Sequence, residues 1–75
     1  MQQFSGIETF VKVAETLNFS EAGKRLGLSS SAVGKAISRL EERLGARLFH
    51  RNTRSVRLTG KGEQYLEYCR RALAT

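Results

Sequence analysis

"AGKRLGLSSSAVGKAI", residues Ala22 to Ile37, sets two small residues, a leucine-glycine-leucine corner and two β-branched residues in an order with a packing reason at each step. Ala22 and Gly23 let two helices cross closely. Leu26 and Leu28 fill the angle between them, Gly27 makes the turn, and Val33 and Ile37 pin the second helix over the first. The order and spacing predict a helix-turn-helix. Its second helix is capped by Ser29 or Ser30 and stopped by Gly45, with Val33, Ile37, Leu40 and Leu44 repeating along one face. The opposite face carries Ser30, Ser31, Gly34, Lys35, Ser38 and Arg39, all small or basic. In a helix-turn-helix the second helix enters the major groove with its N-terminal residues at the base edges. Small residues let such a helix sit deep, and serine hydroxyls and Lys35 can meet bases or phosphates. Arg39, a turn further along, either reaches the nucleic acid or pairs with Glu41 or Glu42.

Working outward, a first helix starts at Ser5, where Ser5 and Glu8 have capping-box spacing, and ends near Asn18 with a stripe of Ile7, Phe10, Val11, Ala14 and Leu17. The helix before the turn runs from a Ser20 N-cap to Leu26, and Leu28 returns to the core. After Gly45, two β-prone segments, Leu48 to His50 and Val56 to Leu58, flank the turn formers Asn52, Thr53, Arg54 and Ser55 and predict a hairpin with a basic tip. Thr59 can cap a fourth helix whose stripe is Tyr65, Leu66, Cys69, Ala72 and Leu73. Gly60 and Gly62 weaken its start.

The formal charge of +6 on 75 residues is concentrated. Arg43, Arg47, Arg51, Arg54, Arg57 and Lys61 follow one another without an acid, while the other seven cations balance the seven acids. A polyanion is drawn to such a stretch through phosphate contacts and counterion release. A chain this short buries only about 60% of its unfolded surface, which leaves little room for a deep substrate pocket. One cysteine and one histidine build neither an internal disulfide nor a zinc site, so the chain reads as intracellular, without metal or cofactor. The start "MQQFSGIETF" has no export-signal pattern, and no segment approaches bilayer-spanning length.

The stretch from Glu8 to Gly62, with "NFSEAGKRLGLSSSAV", "ISRLEERLGARLFHR" and "LTGKG" at these distances, resembles the N-terminal DNA-binding domain of LysR-type transcriptional regulators. The resemblance implies a mainly α fold, a winged helix-turn-helix of three helices and a β-hairpin wing. It implies a DNA-binding domain over 1–59, with the helix-turn-helix at about 19–38 and the wing at about 47–58. Residues 60–75 would form a linker helix, and an effector-binding domain would be absent from this chain. On these positions it places Ser20 at a phosphate, Ser30, Ser31, Gly34 and Lys35 at the groove, and Arg51 and Arg54 as wing contacts to backbone or minor groove. The expected partners are double-stranded DNA with an inverted repeat, and a second copy through Tyr65, Leu66, Cys69, Ala72 and Leu73. A small-molecule effector would act only through the missing domain, and the expected location is the bacterial cytoplasm, at the nucleoid. Gly34 and Ala36 stand where the family commonly has serine and glutamine, which shifts specificity toward the remaining serines, Lys35 and DNA shape. Gly23 replaces the usual alanine, at about 1 kcal/mol of helix propensity.

Each residue also has a local role to weigh. Arg43 and Arg47 suit a helix C-terminus, His50 a strand surface, Cys69 a buried small hydrophobe, and Tyr65 and Tyr68 packing or a dimer. An enzyme is disfavoured by the lack of a paired acid and base, a nucleophile with a histidine partner, or a phosphate loop. A winged-helix module for protein binding would show an apolar patch where this chain shows serines and arginines. Single-stranded RNA binding would need exposed aromatics.

Overall fold

The computed structural model describes residues 5–52 and 55–74. Four helices and one hairpin follow in the order α1 (Ser5–Thr16), α2 (Phe19–Leu26), α3 (Ser30–Leu44), β1 (Phe49–Arg51), β2 (Val56–Leu58) and α4 (Gly60–Ala74). Phe10, Val13, Ala22, Val33, Ile37, Leu40, Leu48, Phe49, Leu66 and Cys69 close one core to which every helix and β1 contribute. Phe10 sits at its centre, its ring 5.4 Å from Phe49 and 5.1 Å from Tyr65.

The helix-turn-helix forms as its residues dictate. Ser29 accepts from the amide of Ala32 at 3.1 Å and caps α3, while Gly27 and Gly45, at φ 72° and 67°, end α2 and α3 in the left-handed region. Gly23 has a stronger reason than helix propensity. Its carbonyl receives the Leu28 amide at 2.8 Å, and a Cβ at this position would collide with the Leu28 carbonyl oxygen. Gly23→Ala is therefore expected to lose about 1 to 3 kcal/mol by overpacking despite the roughly 1 kcal/mol that propensity alone would return. A urea midpoint that rises in the variant would overturn this.

Several boundaries differ from the sequence expectation. The N-cap of α2 is Asn18, not Ser20: its extended backbone presents Oδ1 to the Glu21 amide at 2.8 Å, and Ser20 lies inside the first turn. Helix α1 stops at Thr16, because Leu17 turns to φ 51° and its amide returns to the Val13 carbonyl. A leucine in that region costs about 1 kcal/mol or more, and the turn throws Leu17 outward, so Val13 takes the buried place on the stripe. Leu28 and Leu44 also fall outside the core, at 42% and 44% exposure, since each sits where the chain is already leaving its helix contact. The side chain of Ser5 lies outside what is described.

The hairpin is antiparallel, with Phe49 opposite Leu58, His50 opposite Arg57 and Arg51 opposite Val56. Its first strand begins one residue later than expected. Leu48 lies in register with Thr59, whose amide it accepts at 3.0 Å, but its own amide goes to Glu41 at 2.8 Å, so the ladder proper begins at Phe49. The strand alternation then turns Phe49 and Arg51 inward and His50 outward. Asn52 closes the tip by accepting from the Ser55 amide at 2.8 Å. Thr59 caps α4 at the Gly62 amide, 2.9 Å away.

Candidate nucleic-acid interface

The first turns of α2 and α3 open onto one groove, shared with the hairpin. Its walls are Leu17, Asn18, Phe19 and Ser20 on one side, Ser30 and Ser31 on another, and Asn52, Ser55 and Val56 on the third. Helix N-termini carry amides without intrahelical partners and the positive end of the helix dipole. Two of them converge here with three exposed serine hydroxyls at Ser20, Ser30 and Ser31. Such a surface suits anionic oxygens.

The structure divides the serine and basic face of α3. Ser30 and Ser31 line the groove, and Lys35 and Arg39 are exposed further along the helix. Ser38 instead borders a second depression with Glu41, Glu42, Gly45, Ala46, Arg47 and Arg51. Gly34 is half-buried, and a Cβ there would lie 3.7 Å from the Phe19 ring, in ordinary contact. A small side chain would therefore fit there without displacing Phe19. Arg39 pairs with neither Glu41 nor Glu42: the Glu41 carboxylate is directed to Arg51 and Arg47, at 2.9 Å and 3.7 Å. Arg43 lies in the last turn of α3, where a cation suits the helix dipole. Arg54 and Thr53 lie outside the described residues.

Arg51 is the site residue whose surroundings the sequence concealed most. Its Nη2 donates to Glu41 Oε1, and its guanidinium lies 5.2 Å from the centre of the Phe19 ring. Only an edge of it remains outside, with 26% of the side chain exposed. Sequence reasoning also missed Asn52, Ser55 and Phe19 as walls of the groove. The first two were legible only as turn formers, and Phe19 carried no signal beyond its apolarity.

On α4, Leu66 and Cys69 are spent on the domain's own core, and Tyr65 is half-buried against Phe10. Burial pushes the Cys69 thiol above its ordinary value, partly opposed by a hydrogen bond with Tyr65. Tyr65 is raised first by burial and then by Cys69. A thiol kept protonated in the core is a packing group. Ala72, Leu73 and Tyr68 face outward, and Tyr68 stacks on Tyr65 with ring centres 6.0 Å apart.

The family model for bacterial regulatory helix-turn-helix proteins of the lysR family matches residues 4–63, which contain the whole groove and its supports. The chain belongs to the LysR family. It matches the helix-turn-helix part of that family, and its curated relatives are transcriptional regulators. It is 46% identical over 69 residues to the regulator ShiR of Corynebacterium glutamicum, covering 92% of this chain and 23% of that protein. Against the regulator CrgA of Neisseria meningitidis it is 42% identical over 67 residues, 89% of this chain and 22% of CrgA. The chain thus spans less than a quarter of either protein. Among solved structures, the CbnR DNA-binding domain in complex with DNA superposes with a TM-score of 0.90 at 37% identity, covering 95% of this chain and 82% of that one. The BenM DNA-binding domain in complex with benA site 1 DNA gives 0.88 at 30% identity, covering 93% and 79%. Among the described residues of this LysR-type domain, no helix is long and apolar enough to cross a membrane.

Proposed function

We propose that this LysR-type domain reads double-stranded DNA by lowering the N-terminal half of α3 into the major groove, with the hairpin serving as a wing along the flanking backbone or minor groove. The observation that carries this is the convergence of two helix N-termini, Ser20, Ser30, Ser31 and the hairpin's tip end on one groove. Ser20 and the free amides beside it hold a phosphate, which positions the domain. Ser31, Lys35 and, further along, Ser38 and Arg39 meet base edges or backbone, while Gly34 allows close approach. Arg54 and the exposed edge of Arg51 are the wing contacts.

Residues 1–59 act as the DNA-binding unit and 60–75 as a linker helix that pairs two copies on an inverted repeat. The chain acts by binding rather than catalysis, in the bacterial cytoplasm, and its response to a small-molecule effector passes through a further domain. Selection of bound sites from random duplex DNA tests the proposal. Lys35→Ala and Ser31→Ala are expected to change the preferred base, with about 1 to 3 kcal/mol at stake for a direct contact. Gly34→Ser should alter specificity while the domain stays folded, since its Cβ meets Phe19 at an ordinary distance. Identical site preference in all three variants would show that α3 is not the reader.

A further inference from the structure

We infer that Glu41 is a positioning residue for the wing: through Arg51 it locks the hairpin against α2 and α3 in the pose used on DNA. The inference rests on the DNA-reading proposal above. Glu41 lies four residues after Ile37 on α3 and is 7% exposed, so it cannot itself touch a nucleic acid. Its two oxygens divide the work. Oε2 accepts from the Leu48 and Phe49 amides at 2.8 Å and 3.3 Å, fixing the chain as it enters β1. Oε1 holds Arg51 Nη2 at 2.9 Å, two residues further along the same strand.

Arg51 faces inward, opposite Val56, and its guanidinium rests near the Phe19 ring in the first turn of α2. Phe19 in turn borders Gly34 on α3. One carboxylate on α3 therefore anchors the strand at two points, and the second anchor also presses on α2. A hairpin has freedom to pivot about its entry point when held only there. Phe49, Val56 and Leu58 pack the hairpin on the core, and the charge-assisted bond to Arg51 adds a directional hold at the end of β1 nearest the tip. Arg51 Nε is buried without a hydrogen-bond partner, so the hold comes from the Nη2 bond, the ion pair and the ring contact.

Glu41→Gln separates the two anchors. Its amide oxygen can still accept from Leu48 and Phe49, while its NH2 group offers Arg51 no acceptor. Arg51, at the edge of the surface, can then swing to water without trapping a charge. Glu41→Gln with Arg51→Gln is the second variant, which leaves no buried unpaired charge should the single change unfold the chain, since Arg47, the other partner of the carboxylate, is exposed.

Two measurements on the 75-residue chain test the inference. In DNA-free protein, NMR should show the Arg51 side-chain protons shifted upfield by the Phe19 ring in the wild type and released in Glu41→Gln, with exchange broadening of the His50, Ser55, Val56 and Arg57 amides. On a duplex selected with the wild-type chain, both variants should bind about tenfold more weakly. The footprint should retreat only at the flanks, with base preference under α3 unchanged. A ring shift that survives in the folded Glu41→Gln variant overturns the clamp whatever happens on DNA. Footprints that coincide with the wild type, or a loss spread evenly over the whole site, overturn its role in posing the wing. A wild-type chain with no duplex preference overturns the DNA-reading proposal and the clamp's use on DNA with it, while the ring shift still decides the clamp itself.

Discussion

Phe10→Ala is expected to remove about 3 to 5 kcal/mol of folding stability. Total stability for a chain of this length is on the order of 4 to 11 kcal/mol, taking about 0.05 to 0.15 kcal/mol per residue. Phe10 is fully buried and meets Phe49 on β1 and Tyr65 on α4, so its ring joins α1 to the hairpin and to the last helix. The cavity left by its removal is walled by elements that are each held elsewhere, and it cannot collapse without moving the wing. Val11, its neighbour on the same predicted stripe, is only partly buried, and Val11→Ala should lose about 1 kcal/mol or less. Urea unfolding of the two variants gives the comparison. Equal losses would mean that the core is not centred on Phe10.

That contrast marks what could be read in the chain alone. The apolar period of α1 gave a stripe but not its middle, because a helix face is defined to within a residue or two while burial depends on what arrives from outside. The α2–α3 corner was legible because each requirement there is local: a left-handed glycine, a serine cap and a stripe of β-branched residues all lie within one short segment. Leu17 was not, since no residue preference marks a leucine that must adopt φ 51°, and its outward turn is imposed by Asn18 capping the next helix.

The same distinction governs the candidate interface. Ser30 and Ser31 could be placed from the helix-turn-helix pattern and Ser20 from the family resemblance, and the structure brings them to one groove. Arg51 could not, because its orientation depends on the strand register. In the observed register Arg51 lies opposite Val56 on the same face as the buried Phe49, where Glu41 takes the Leu48 and Phe49 amides and the Arg51 guanidinium. In the sequence Glu41 stands out only as a possible partner for Arg39. Its role appears only when β1, which follows α3 after the four residues 45–48, folds back over that helix.

Leu73→Asp is expected to weaken binding to a full inverted repeat by about a hundredfold or more while leaving affinity for a single half-site unchanged. Leu66 and Cys69 complete the domain's own core, but Leu73 is 55% exposed and Tyr68 63% exposed, and the exposed Leu44 at the end of α3 shares a depression with Tyr68. An exposed leucine tolerates substitution within about 0.5 kcal/mol when nothing covers it, so aspartate at position 73 should leave the folded monomer intact. If two copies pair through α4, each buries Leu73 against its partner, and a carboxylate there has to be desolvated or the pair must part. A symmetric pair sets two α3 helices about 34 Å apart, on successive major grooves of one DNA face. The second half-site is then bound at high effective concentration, a gain of about 10² to 10⁴ that disappears when the pair is broken. Sedimentation at micromolar concentration and titration of half and full sites measure the two parts separately. A Leu73→Asp chain that stays paired and keeps wild-type affinity for the inverted repeat would show that α4 is not the contact between copies. A wild-type chain that remains single even on the full repeat would show that one domain reads each half-site alone.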